Sequence, residues 1–275
     1  MDSKSLNLES LINDFSFYLQ KNGISKKTIR HYTGDIMSCL KPINSRDNLD
    51  VNSIADSFEK TLKKDSPVNT IYRRSVSFNH FNRFLAETGL IKETKFYSAD
   101  RRPKYGLFNH MEQEEYNRLI SSLPKWNIKE ARARAIISLA YNTGIKANEL
   151  TGIRHKDFTR DGMEIIHLSI GNKNGKIRVI AIDNNVSEEL ENYEYRAKES
   201  NINLIIDKKP YFKIMKGEAI SDKAIRSIYN RRIDRCSFNR ELSFNSLRFA
   251  YAKNFLDSGH SSKELAEKLG VSLRH

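Results

Sequence analysis

Residues 135–157 read AIISLAYNTGIKANELTGIRHKD, an apolar run broken at Thr143-Gly144 and followed at once by a charged one. A helix of the first kind stops where glycine can turn left-handed, and a second helix begins within a few residues. That second helix carries Lys146 and Glu149. A cation at such a junction can reach a phosphate oxygen while neighbouring backbone N–H groups face it too.

C-terminal to this junction, Met163 to Ile170 alternates towards Gly171-Asn172-Lys173-Asn174-Gly175, and Ile177 to Ile182 resumes as a strand. The pattern predicts a two-stranded hairpin with a lysine-bearing turn. Helical periodicity surrounds it, near 111–123, 129–142 and 146–152 before the hairpin and near 186–198, 221–235, 245–258 and 261–269 after it. The first hundred residues read as helices alone. Leu8, Leu11, Ile12, Phe15 and Leu19 share one face, and Asn22-Gly23 ends that run. Ser25 caps a second helix bearing Ile29, Tyr32 and Ile36. A third covers roughly 53–64. A fourth runs from Asn69 to Thr88 with Ile71, Val76, Phe78, Phe81, Phe84 and Leu85 as its apolar side. Between the halves, residues 98–106 (SADRRPKYG) have linker composition. Arg101, Arg102 and Lys104 there suit either a strap over a phosphate backbone or a plain exposed linker.

The whole chain has 275 residues, with 47 Lys plus Arg against 34 Asp plus Glu, a formal charge of +13. Such a charge favours polyanions, nucleic acid foremost among them, through long-range attraction and counterion release. No apolar stretch approaches the ~20 residues of a membrane span. Met1 to Ser10 lacks the basic head and apolar block of a signal peptide. Cys39 and Cys236 lie too far apart in sequence to suggest a disulfide framework or a zinc site. The expectation is a cytoplasmic protein, nucleoid-associated in a prokaryote, without cofactor or metal.

Thr143-Gly144-Ile145-Lys146-Ala147-Asn148-Glu149-Leu150 resembles the first active-site motif of the tyrosine recombinase (phage integrase) family, written Thr-Gly-Leu-Arg-x-x-Glu-Leu. Lys146 stands where that motif has its arginine. The hairpin at 171–182 resembles the family's turn that carries a lysine general acid, with Lys173 the better match and Lys176 the second. FNSLRFAYAKNFL, residues 244–256, resembles the second motif, His-x-Leu-Arg-His. Arg248 takes the arginine position, Asn245 replaces the first histidine and Phe249 the second. About 22 residues further on, where the family has Gly-His or Gly-Trp, this chain reads Gly270-Val271. Gly259-His260-Ser261-Ser262 imitates that phrase only 12 residues past Arg248, and its context makes His260 a turn residue. The nucleophilic tyrosine is expected about ten residues past Gly270, beyond His275. Tyr211, Tyr229 and Tyr251 do not replace it well. In the first half, Asn22 to Tyr32 is similar to the family's core-binding phrase G-[LI]-S-x-x-T-[LI]-x-x-Y.

The resemblance implies a mainly α fold. Residues 1–97 would form an all-α, SAM-like core-binding domain, 98–107 a basic linker, and 108–275 an α+β catalytic-like domain with a small antiparallel sheet. In such a recombinase a tyrosine attacks a phosphodiester, two arginines stabilise the pentacoordinate phosphate, and a lysine protonates the leaving oxygen. Lysine at 146 keeps charge without the planar fork that binds two oxygens at once. Asn245 cannot shuttle a proton at neutral pH, and Val271 neither shuttles one nor donates a hydrogen bond. The chain therefore reads as a protein that clamps duplex DNA with impaired or absent strand chemistry. A divergent recombinase and a non-catalytic scaffold are the alternatives. Arg30, Tyr32, Arg73, Arg74, Lys223, Arg226, Arg231 and Arg232 are candidate phosphate contacts, although a solvated helix face is the first reading of each. A homo-oligomer on DNA, or pairing with a partner recombinase, is implied by the same resemblance.

Overall fold

The computed structural model describes residues 7–43, 49, 51–64, 66–92, 94–98, 109–171, 175, 177–204 and 209–271. The chain divides into two compact units, Met1–Gly106 and Leu107–His275. Arg101, Arg102, Lys104, Lys173 and Lys176 lie outside the described residues. Among the described residues, no helix is long and apolar enough to cross a membrane.

The first unit is built from α1 (Leu8–Lys21), α2 (Lys26–Leu40), α3 (Val51–Leu62) and α4 (Val68–Glu87). The five periodic apolar residues of α1 are all buried, as their three- and four-residue spacing requires. The Ser25 hydroxyl accepts from the Thr28 N–H at 3.3 Å and caps α2. Aromatic rings fill the centre, with Phe58 stacked on Phe78 at 4.1 Å and Phe15 edge-on to Phe81 at 4.9 Å.

The buried face of α4 departs from the apolar pattern. Ile71 and Val76 are only half-buried, while Ser75, Ser77 and Asn82 are buried. Tertiary hydrogen bonds explain the exchange. The Ser77 hydroxyl donates to the buried Asp35 carboxylate at 2.8 Å, and the Asn82 amide donates to the Lys95 carbonyl at 2.7 Å. Arg73 pairs with the same Asp35, so part of its guanidinium is committed inside the unit. Arg30 is exposed, Tyr32 packs its ring at a tilt against His80, and Arg74 reaches the Ser66 hydroxyl at 3.5 Å.

The second unit contains α5 (Gln113–Ser121), α6 (Ile128–Thr143), α7 (Ala147–Leu150), β1 (Phe158–Asp161), β2 (Glu164–Gly171), β3 (Ile177–Ala181), α8 (Asn184–Glu199), α9 (Asp222–Ile233), α10 (Phe244–Asp257) and α11 (Ser262–Leu269). The fold is mainly α, with one antiparallel sheet of order β1-β2-β3. The expected two-stranded hairpin is thus one strand short. β1 has four residues, Phe-Thr-Arg-Asp, too few and too irregular to show alternation, and it exists by pairing Phe158 with Leu168 and Asp161 with Glu164.

Helix α6 runs through the core of this unit, from its Asn127 cap to Gly144. It buries two arginines, Arg132 and Arg134. Arg134 forks onto Glu189 of α8 through Nε at 2.7 Å and Nη2 at 2.5 Å, and donates to the Leu123 carbonyl at 2.7 Å. Arg232, a candidate phosphate contact by sequence, is instead buried and paired with Glu130 at 2.8 Å. Its charge is spent on packing α9 against α6. Arg226 pairs with Asp222 of its own helix, whereas Lys223 and Arg231 stay exposed.

Candidate functional site

The site is assembled around the corner where α6 stops. Gly144 ends the helix at φ +64°, in the left-handed region, and a methyl group added there would lie 2.6 Å from Leu269 Cδ2 and 2.7 Å from Tyr251 Cδ1. Glycine is required twice over, by conformation and by the close approach of α10 and α11. Gly144→Ala is expected to cost roughly 2–4 kcal/mol, seen as a lower urea midpoint by far-UV circular dichroism.

Past the corner, Lys146 occupies the cap position of α7 and Glu149 its first turn. The Lys146 N–H donates to Glu149 Oε2 at 2.8 Å, closing the turn. On β3, Arg178 donates to Glu149 Oε1 at 3.0 Å and Oε2 at 2.9 Å, a two-pronged pair with both side chains largely buried. Arg248, from the first turns of α10, donates through Nη1 to the Gly144 carbonyl and through Nη2 to the Leu269 carbonyl at 3.0 Å. Two of its five N–H groups are thereby used among the described residues.

A cavity of about 500 Å³ opens beside this corner, lined by Lys146, Glu149, Gly152, Ser169, Gly171 and Gly270 among others. The half-buried Lys146 ammonium has no hydrogen-bond or ion-pair partner among the described residues. Burial, then the Arg248 and Arg178 charges, push its pKa down, and Glu149 opposes them. Burial works to raise the Glu149 carboxyl, but the Arg178 bonds, the Lys146 N–H and the nearby cations outweigh it and hold the group below its usual range. Three cations, Lys146, Arg178 and Arg248, thus gather about Glu149, and Asp157 adds a second acidic residue to the cavity lining; the remaining excess of positive charge suits an anion with several oxygens.

Of the remaining expected positions, the described ones lie on α10 and just past α11. Asn245 is exposed one turn before Arg248 on α10, and Val271 follows Gly270 at the end of α11 with its side chain 44% exposed. Lys146, Arg248 and the Gly270-Val271 segment are therefore brought to one place. His260 lies exposed in the turn before α11, its ring stacked on Phe255 at 4.2 Å, as a turn residue should. Tyr211 and Tyr229 are fully buried, and burial drives both phenols well above their ordinary range. Tyr251 packs its ring over the Gly144 corner; burial raises its pKa against the pull of Arg178 and Arg248. Among the described residues, no cluster of His, Cys, Asp and Glu could hold a metal ion.

Arg178 is the site residue that the sequence pattern does not single out. In Ile177-Arg178-Val179-Ile180, alternation predicts no face for an arginine, yet Ile177 and Val179 are the exposed residues, 71% and 54%, while Arg178 shares the inward side with Ile180. The only available signal was its spacing of two from a buried isoleucine.

The chain is similar along most of its length to known proteins. It is 27% identical over 271 residues to tyrosine recombinase XerC of Corynebacterium glutamicum, covering 96% of this chain and 84% of that protein. Its fold matches that of a lambda integrase dimer bound to a COC' core site, with a TM-score of 0.70, 18% identity, and coverage of 98% of this chain and 76% of the other. It also matches the XerH site-specific recombinase bound to difH substrate in a pre-cleavage complex, with a TM-score of 0.70, 16% identity, and coverage of 99% and 93%. Residues 109–272, which hold the whole of the corner just described, match the profile of the phage integrase family. With more than half of its length matched in this way, the chain belongs to the phage integrase family, the tyrosine recombinases.

Proposed function

We propose that this protein binds duplex DNA and holds one backbone phosphate in the cavity beside Lys146 and Arg248, with strand cleavage and rejoining weakened or lost. The observation that supports this most is the convergence of those two cations, 104 residues apart for Arg248 and Gly144, at positions where the family has its arginines. Asn245 and Val271 stand where proton-handling side chains would be. Phosphate grip is kept by charge alone, whereas chemistry needs a fork aimed at the transition state and a proton carrier.

Residues 1–97 act in this reading as the core-binding domain, 98–107 as a basic linker and 108–275 as the catalytic-like domain. Arg30, Tyr32 and Arg74 contribute phosphate contacts from the first, Arg101, Arg102 and Lys104 from the linker, and Lys173 and Lys176 from the hairpin turn. The dimeric DNA complex of lambda integrase supports more than one copy acting on DNA. A divergent recombinase is the second reading, favoured by the retained Arg248 and by the positive charge still present at 146.

Two measurements separate these. Affinity for a mixed-sequence duplex is expected to fall steeply with salt, with a logarithmic slope near −0.9 per phosphate contacted. A shallow slope would instead support a non-catalytic scaffold. Incubation with a nicked duplex that traps covalent intermediates is expected to yield no protein–DNA adduct. An adduct would overturn the impaired reading, and Lys146→Arg would then be expected to raise its rate by about 100-fold.

A further inference from the structure

The sign of Glu149 conflicts with its place. Its carboxylate lines the cavity that also offers Lys146, and a bare negative charge there would repel a phosphate. Yet the same carboxylate is needed, because it accepts the Lys146 N–H at 2.8 Å and so fixes the backbone from which the lysine projects. We infer that Arg178 is a positioning residue that masks Glu149, cancelling its charge towards the cavity while leaving it free to hold the Lys146 backbone. This rests on the phosphate reading above.

Four observations carry it. The Arg178 fork engages both carboxylate oxygens, at 3.0 and 2.9 Å, so neither faces the cavity uncompensated. Both side chains are largely buried, 12% and 14% exposed, where solvent screens the pair little. Gly270, at φ +61°, makes room for the guanidinium, since a methyl group there would lie 2.9 Å from Arg178 Nη1. Finally, Arg178 Nε is buried without a partner among the described residues, so the guanidinium is held in this pose at the expense of one of its own donors. Among the described residues, the other charged or titratable groups about the pair and its cavity are Lys146 from the α7 cap, Arg248 and Tyr251 from α10, and Asp157, which accepts from the Arg154 N–H at 2.8 Å.

The test is a charge cycle in the full chain, read by fluorescence anisotropy of a fluorescein-labelled mixed-sequence duplex across a salt series. Glu149→Gln is expected to tighten binding several-fold, because Arg178 is then uncovered. Arg178→Gln is expected to weaken it by roughly tenfold and to lower the salt slope by about one. The double substitution is expected to return within about threefold of the unmodified protein, and Arg178→Lys, which keeps the charge and loses the fork, to stay near it. A merely structural pair predicts otherwise, with both single changes and the double change weakening binding alike. The inference is overturned if Glu149→Gln does not tighten binding, or if the double variant is as weak as Arg178→Gln. Should Arg178→Gln fail to fold, Glu149→Gln and the double variant decide the matter. An unmodified protein with no steep salt dependence would defeat the phosphate reading itself, and the masking role with it.

Discussion

Arg134→Ala is expected to destabilise the second unit by about 3–5 kcal/mol, because it strands a buried carboxylate and bares a buried carbonyl. Glu189 is 6% exposed, and once Arg134 is gone its nearest cation among the described residues is Lys125, at 3.7 Å. The Leu123 carbonyl loses its 2.7 Å donor at the same time. Urea unfolding followed by far-UV circular dichroism reads this directly, since the second unit is mainly helical. The contrast that fixes the cause is Arg134→Met combined with Glu189→Leu. Removing both charges is expected to restore most of the loss, as buried ion pairs exchanged for apolar groups of similar volume are often neutral.

Arg248→Ala is expected to have the largest effect on function, weakening duplex affinity by about tenfold or more and removing about one unit of salt slope. It also leaves the Gly144 and Leu269 carbonyls without their donor, for a stability loss of about 1–3 kcal/mol for each one that stays dry. Arg248→Lys divides the two effects. An ammonium keeps the charge, so affinity should hold within a few-fold, but it cannot span two carbonyls on different elements, so the unfolding midpoint should still fall. Anisotropy across a salt series and urea denaturation on the same three proteins check both halves. An unchanged salt slope in Arg248→Ala would remove Arg248 from the phosphate site.

Much of the fold is legible in sequence because its helices advertise themselves. α1 buries all five residues that its periodicity names and α2 buries Ile29 and Ile36 but leaves Tyr32 half-buried, and Asn22, Ser25 and Gly144 stop or start helices by local chemistry that neighbours do not alter. β1 is the counter-example, a strand whose four residues carry no pattern and whose existence depends on β2. Polar burial is equally invisible locally. Ser77 and Asn82 displace Ile71 and Val76 from the α4 core face only because Asp35 and the Lys95 carbonyl lie opposite them. Arg232 reads as a surface cation until Glu130, 102 residues away, is found beside it.

The order of residues is enough to name the candidate site's parts, since Lys146, Glu149 and Arg248 occur in runs short enough to be matched to the family's motifs residue by residue. It also determined where α6 must stop, because only glycine takes that backbone conformation without strain. How these parts act on one another depends on the folded arrangement. Arg248 reaches back 104 residues to the Gly144 carbonyl, and Arg178 arrives from β3 to cover Glu149. The reason is physical: a charge's effect depends on its distance from other charges and on the water excluded between them, and neither is written in the order of the chain.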